Sequence, residues 1–118
     1  MNERSRNLLF RLQSSLPAGE IRFDEPTLVR CAGDKWFATH RPDAVALPRS
    51  TESVSRLLKF ANRHRIPVTP RGAGHGYVGG CVPLHGGIVL SLERMNHIRE
   101  INAGDFVTVV EPGVVTKT

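Results

Sequence analysis

The sequence has little cysteine, few aromatic residues and no metal-binding pattern. Its two cysteines, Cys31 and Cys81, are far apart and form no CxxC pair, so neither a disulfide framework nor a cysteine metal site is predicted. The five histidines show no metal-ligand spacing, and we predict no metal. Aromatic residues make up 6% of the chain, whereas single-stranded nucleic-acid binders interleave aromatic with basic residues. We therefore predict no nucleic-acid partner.

The sequence also lacks a long hydrophobic run. Near the N-terminus the run Leu8–Phe10 ends at Arg11, which is too short for a secretion signal or a membrane span. We expect a cytoplasmic protein without a transmembrane segment, and peripheral attachment to a membrane stays open. The net charge is +5, and such a basic balance attracts anions such as phosphates and carboxylates. A length of 118 residues fits one small domain.

The most informative feature that is present is a glycine-rich run. Five of the eleven residues from Pro70 to Gly80 are glycine, and glycine lets backbone N–H groups converge on an anion. A tight turn between strands is the alternative interpretation, but the preceding apolar segment and the adjacent Arg71 favour a phosphate site. The run lacks the GxxxxGK[ST] pattern and the third glycine of the dinucleotide fingerprint. It therefore predicts a phosphate-binding loop of another architecture.

The chain around this run predicts alternating helices and strands. Leucines at every fourth position predict a helix over residues 3–16, whereas residues 17–43 show no clear periodicity. Residues 43–47 and 66–69 indicate strands, and between them lies a helix that Ser50 or Thr51 can cap. Residues 87–92 indicate a third strand, and residues 97–110 a hairpin. The order βαβ, then strands, predicts an α+β fold.

Several motifs together resemble the FAD-binding domain of the vanillyl-alcohol-oxidase, or PCMH, type. They are residues 48–54 at the start of the helix, 66–74, Gly79-Gly80, 92–96 and 109–114. The resemblance is greatest to FAD-linked 2-hydroxy-acid oxidases and dehydrogenases, such as the glycolate oxidase FAD subunit and D-lactate dehydrogenases. It implies a leader with a helix over residues 1–41, followed by the first part of the FAD domain over residues 42–118. Relatives continue with a second glycine-rich segment and a substrate-binding cap, which we expect to be absent here.

The resemblance also implies which residues hold FAD and what the whole protein does. The expected cofactor-binding residues are Pro70, Arg71, Gly72, Ala73, Gly74, His75, Gly76, Gly79, Gly80, Ser91, Pro112 and Gly113. FAD would oxidise a 2-hydroxy acid bound by the cap, with an Fe–S protein or another acceptor taking the electrons. The catalytic residues are expected in the absent part and stay unknown. The alternatives are a sugar or aldonolactone oxidase of the same fold, and a non-catalytic phosphate- or nucleic-acid-binding module.

His75 departs from the hydroxy-acid branch, which carries a small hydroxyl residue at this position. In the berberine-bridge type, a histidine in a similar pattern is joined to the 8α carbon of the flavin. The resemblance therefore raises the hypothesis of a covalent 8α-histidyl bond at His75. The interpretation we favour is an imidazole that only hydrogen-bonds the cofactor.

Overall fold

A computed structural model of the protein describes residues 3–36, 38–76 and 79–116. Its helices are α1 (Glu3–Ser15), α2 (Glu25–Arg30) and α3 (Thr51–His64). Its strands are β1 (Ile21–Arg22), β2 (Ala44–Ala46), β3 (Val68–Arg71), β4 (Ile88–Ser91), β5 (Ile98–Asn102) and β6 (Val107–Val110). The expected α+β composition is confirmed.

The first four strands form one sheet in the order β1-β2-β4-β3. β2, β4 and β3 run parallel, and β1 pairs antiparallel with β2. Strand β4 lies between β2 and β3, and all four of its residues are buried, whereas the residues of the edge strand β3 are intermediate or exposed. A continuous apolar strand is suited to a position covered on both faces.

Helices cover both faces of this sheet. Ala44, Ala46, Ile88 and Leu90 pack in one cluster with the α1 leucines and Leu57 of α3. The alternate residues Val45 and Val89 pack in a second cluster with Leu28 of α2. Because successive strand residues point to opposite faces, the sheet separates two small cores.

Helix α3 begins and ends as its sequence indicates. The Ser50 Oγ accepts a hydrogen bond of 3.2 Å from the Ser53 backbone N–H, which caps the first turn. Arg65 ends the helix in the left-handed region with φ of 54°. The chain then passes Pro67 and enters β3, which starts two residues later than the predicted strand and includes Arg71.

Two elements were not predicted. Strand β1 and helix α2 lie in residues 17–43, where no periodicity was visible. Both are short, two and six residues, and so short a segment cannot display a helical or strand repeat. Strands β2 and β3 run in the same direction, as the βαβ prediction requires. They are not neighbours in the sheet, because β4 lies between them.

Strands β5 and β6 form a separate two-stranded hairpin, as predicted. Its turn is closed by the Asn102 side chain, which accepts a hydrogen bond of 3.1 Å from the Asp105 N–H. Its apolar side chains are largely exposed, from Val109 at 41% to Phe106 at 95%. Among the described residues no helix is long and apolar enough to cross a membrane.

Candidate functional site

The glycine-rich run leaves the sheet at the carboxyl end of β3. Arg71 is the last residue of that strand, and its carbonyl accepts a hydrogen bond of 2.9 Å from the Leu92 N–H. The residues that follow, 72–76, are called the glycine loop below. Four of these five residues are exposed, and the carboxyl edge of a parallel sheet is where α/β proteins bind ligands.

A cavity of about 610 Å³ lies beside the glycine loop. It brings the loop together with the connection between β4 and β5 and with the segment after β6. Its lining comprises Arg30, Arg71, Gly72, Ala73, His75, Glu93, Asn96, Ile98, Gly113, Val114 and Val115. Five of the twelve predicted cofactor-binding residues are in this set, from two segments some forty positions apart in sequence.

Gly113 is placed by a close approach to the β4–β5 connection. Its N–H donates a hydrogen bond of 2.8 Å to the Met95 carbonyl. A Cβ at this position would lie 2.2 Å from the Leu92 carbonyl oxygen and 2.8 Å from that of Met95. Only glycine fits against these backbone atoms, so the residue fixes one wall of the cavity.

The Arg71 side chain is turned inward from the cavity mouth. Its Nη1 donates hydrogen bonds to the Gly33 carbonyl and to the Cys81 Sγ, the latter at 3.7 Å. The guanidinium also packs against Gly74. The half-buried Arg71 therefore braces the loop from behind as well as supplying positive charge.

A second arginine in the cavity, Arg30, forms an ion pair with Glu93. Its two terminal nitrogens lie 2.9 and 3.2 Å from the two carboxylate oxygens, the bidentate geometry that suits these groups. Ser91 Oγ donates a third hydrogen bond to Glu93, of 3.2 Å. Burial alone would raise the pKa of Glu93, but the hydrogen bonds and charge of Arg30 outweigh it and lower that pKa.

Glu111 ties the end of β6 to the start of β5. Its carboxylate accepts a hydrogen bond of 3.0 Å from the His97 backbone N–H and also contacts the His97 ring. Arg99 lies 3.6 Å away. The backbone N–H and ring of His97, followed by the Arg99 charge, hold the pKa of Glu111 below its ordinary value.

The remaining predicted cofactor residues lie around the cavity. Pro70 is exposed in β3, opposite Leu90. Ser91 is 1% exposed and engages Glu93, so its side chain reaches the site only through that carboxylate. Five others do not line the cavity: Gly74 and Gly76 within the glycine loop, Gly79 and Gly80 after it, and Pro112 next to Gly113. The assignment of all twelve residues stays a prediction.

Sequence reasoning did not single out Arg30, Glu93 or Asn96 as site residues. Glu93 and Asn96 lie in the 92–96 motif that contributed to the resemblance, so a signal was present. Arg30 ends the short helix α2, where the local pattern carries no indication of function. Its role depends on a pairing across 63 positions of sequence, which local analysis cannot detect.

The free space at the loop suits a pyrophosphate. A Cβ built on Gly72 would meet no described atom within 4 Å, so a ligand can approach the backbone there. Two arginines, Arg30 and Arg71, are among the residues that line the cavity. The described residues contain no group of three His, Cys, Asp or Glu that could hold a metal. These features fit the diphosphate part of FAD.

The chain is similar to known proteins in sequence and in fold. The sequence model of the FAD binding domain family matches residues 42–118. The chain is 45% identical over 75 residues to the glycolate oxidase subunit GlcD of Bacillus subtilis, covering 64% of this chain and 16% of that protein. It is 42% identical over 102 residues to a D-lactate dehydrogenase of Archaeoglobus fulgidus, covering 86% of this chain and 21% of that protein.

The fold is also similar to that of a solved oxidase. The 4-ethylphenol oxidase of Gulosibacter chungangensis superposes with a TM-score of 0.81 and 30% sequence identity, covering 97% of this chain and 23% of that one. The chain thus spans less than a quarter of the length of each of these relatives.

Proposed function

This chain belongs to the FAD binding domain family, and we propose that its glycine loop holds the FAD pyrophosphate. The observation that supports this most directly is the cavity, where the backbone of Gly72 and Ala73 lies together with the Arg30 side chain and Gly113. Backbone N–H groups and arginine bind phosphate oxygens through charge-assisted hydrogen bonds. In this role the chain binds and orients the cofactor.

For the whole protein we propose oxidation of a 2-hydroxy acid. Glycolate and D-lactate, named in the relatives GlcD and D-lactate dehydrogenase, are both 2-hydroxy acids. The chemistry that FAD supplies when bound is acceptance of a hydride from the CH–OH carbon. We place substrate binding in a cap domain, electron transfer to an Fe–S or other acceptor, and the protein in the cytoplasm. No residue of this chain is assigned as catalytic acid or base.

His75 lies on the cavity wall with an exposed side chain. We propose that its ring hydrogen-bonds the cofactor, with a covalent bond to the flavin 8α carbon as the alternative. Acid precipitation of the flavin-loaded protein separates the two. Flavin released entirely into the supernatant supports the hydrogen bond, and flavin retained in the pellet supports the covalent bond.

The pyrophosphate proposal is tested by Gly72→Ala. The methyl group has free space in the protein, so we expect unchanged stability, but it would project toward a phosphate bound against the loop. We expect about tenfold weaker FAD binding, measured by titration of flavin fluorescence, since close backbone approach is lost. The matched control is Gly104→Ala in the β5–β6 turn, where a Cβ would make only an ordinary contact at 3.5 Å.

Parallel titrations with ATP and single-stranded DNA distinguish the classes of function. The proposal is supported if the wild type binds FAD and the affinity falls in Gly72→Ala but not in Gly104→Ala. Tight DNA binding without FAD binding would instead indicate a nucleic-acid module. Equal FAD affinity in both variants would show that the pyrophosphate does not bind against the glycine loop.

A further inference from the structure

The segment that follows α2, residues Gly33–Trp36, lies against the glycine loop at both of its ends. The Lys35 N–H donates a hydrogen bond of 2.9 Å to the Gly76 carbonyl. At the other end the Arg71 guanidinium donates to the Gly33 carbonyl. Both bonds join segments more than thirty-five positions apart, so folding brings residues 33–36 and 71–76 into one unit. We call residues 33–36 the clasp.

Trp36 extends this contact beyond the glycine loop. A Cβ on Gly79 would lie 2.5 Å from Cε3 and 2.8 Å from Cζ3 of the indole, so the ring rests directly on the Gly79 backbone. Gly79 has φ of 75°, which most other residues avoid. The absence of a side chain at Gly79 thus serves two purposes: it permits this backbone conformation and makes room for the tryptophan ring.

Asp34 fixes the direction of the clasp. Its Oδ1 accepts a hydrogen bond of 2.7 Å from the Trp36 backbone N–H, which closes a short turn within the clasp. Its Oδ2 is buried. This oxygen faces Gly76, since a Cβ there would lie 3.4 Å from it. The carboxylate is therefore part of the contact with the loop.

We propose that the clasp positions the glycine loop for FAD, with Trp36 as its principal positioning residue. The inference rests on the proposed pyrophosphate role of the loop. Glycine residues lose the most conformational freedom when they become ordered. If the loop is already ordered before FAD binds, the entropic cost of binding is smaller and the affinity is higher. The family match begins at residue 42, so the cofactor site would include a segment outside the matched region.

The variant Trp36→Ala tests this, with Val29→Ala as the matched control. Val29 is an apolar residue of α2 that is 56% exposed and takes no part in the clasp. In the FAD-free chain, ¹⁵N relaxation measures the order parameters of Gly72, Gly74 and Gly76. Hydrogen exchange of the Lys35 amide measures opening of its bond to Gly76.

We expect Trp36→Ala to lower the loop order parameters and to speed Lys35 exchange about tenfold, while amides of α3 and β4 stay unchanged. FAD binding should weaken about tenfold, because the loop must then become ordered when FAD binds. Trp36→Phe keeps an aromatic ring over Gly79, so its loop order and FAD affinity should lie between those of Trp36→Ala and the wild type. Asp34→Asn, which keeps the oxygen that accepts from Trp36, should behave like the wild type, and Asp34→Ala should not.

Three results would overturn the proposal. Trp36→Ala could match Val29→Ala in both loop dynamics and FAD affinity, which would show that the clasp is only a neighbour. Exchange could rise throughout α3 and β4, which would give Trp36 a general structural role. Changed loop order with unchanged FAD affinity would mean that loop order does not govern binding. If the wild type binds no FAD, the proposed function fails, and the relaxation and exchange data alone still decide whether the clasp orders the loop.

Discussion

At the scale of single residues, the two arginines of the site are engaged by other protein groups. Arg71 looks by type like a phosphate ligand, yet its guanidinium braces the loop through Gly33 and Cys81. Arg30 lines the cavity while its charge is balanced by Glu93. Two glycines, Gly72 and Gly113, therefore offer backbone to a ligand where the arginine charges are already engaged. The glycines were predictable because their spacing is visible in the sequence, but the partners of the arginines depend on contacts that only the folded chain creates.

The glycines of the site should differ sharply in their tolerance of a methyl group. Gly113→Ala places a Cβ against backbone oxygens of Leu92, Glu93 and Met95, and backbone cannot move aside as a side chain can. We expect a loss of about 1–3 kcal/mol in the free energy of unfolding, measured by urea denaturation. Gly72→Ala is the control, with a change below about 0.5 kcal/mol. Equal effects in the two variants would contradict this account of Gly113.

Glu111 should contribute to the dependence of stability on pH. Because its pKa is lowered in the folded protein, its contribution is fully present above the pKa of the unfolded chain and is lost as the pH falls through the lowered folded value. The wild type should therefore exceed Glu111→Gln in stability at neutral pH, and this difference should shrink on acidification. Urea denaturation from neutral to acidic pH measures it. A difference that stays constant or grows toward acidic pH is the contrary outcome.

At the scale of secondary structure, helix α3 shows the most complete agreement between sequence and structure. Its cap, apolar stripe and basic last turn are all local features, and each is present in the fold. Strand β1 and helix α2 could not be predicted, since they are short and are stabilised by packing on the sheet. The central position of β4 was also not predictable from chain order, although its continuous apolar run indicated a buried strand.

The capping serine of α3 should contribute measurably to stability. Ser50→Ala removes the acceptor for the Ser53 N–H and leaves one amide of the first turn without its partner. The expected cost is about 1 kcal/mol in the free energy of unfolding, measured by urea denaturation. Ser55→Ala within the same helix is the control, and it should be neutral or slightly stabilising because alanine favours helix. A cost in Ser55→Ala as large as that in Ser50→Ala would argue against the cap.

The hairpin of β5 and β6 should be the least stable element of this chain. A lone two-stranded ribbon is marginal in water, and the hairpin leaves Ile101 70% and Phe106 95% exposed. In native-state hydrogen exchange of the 118-residue chain, amides of β5 and β6 should exchange at least tenfold faster than those of Val89 and Leu90 in the buried strand β4. Equal protection of the two sheets would show that the hairpin is stabilised in a way that its exposure does not reveal.

At the scale of the whole molecule, the parallel sheet places the glycine loop at the carboxyl end of β3. Residues of β4 pack in both cores, and Val68 of β3 packs against one of them. The Leu92 N–H bonds to the Arg71 carbonyl at the end of β3, where the loop begins. The expected PCMH-type FAD-binding domain and FAD as its cofactor are confirmed by the family match and by the relatives. The chemistry of the whole protein stays a proposal, because this chain spans 16% to 23% of those relatives.

The most direct measurement of the central claim is a map of the amide chemical shifts of the ¹⁵N-labelled chain during titration with FAD. Weak binding is sufficient for this measurement. We expect progressive shifts of Gly72, Ala73, His75 and Gly113, which line the cavity, together with Lys35 of the clasp. The amide chemical shifts of the α3 C-terminus, at the opposite edge of the sheet, should stay unchanged. Shifts confined to that opposite edge, or no shifts at saturating FAD, would contradict the assignment of the glycine loop as the pyrophosphate site.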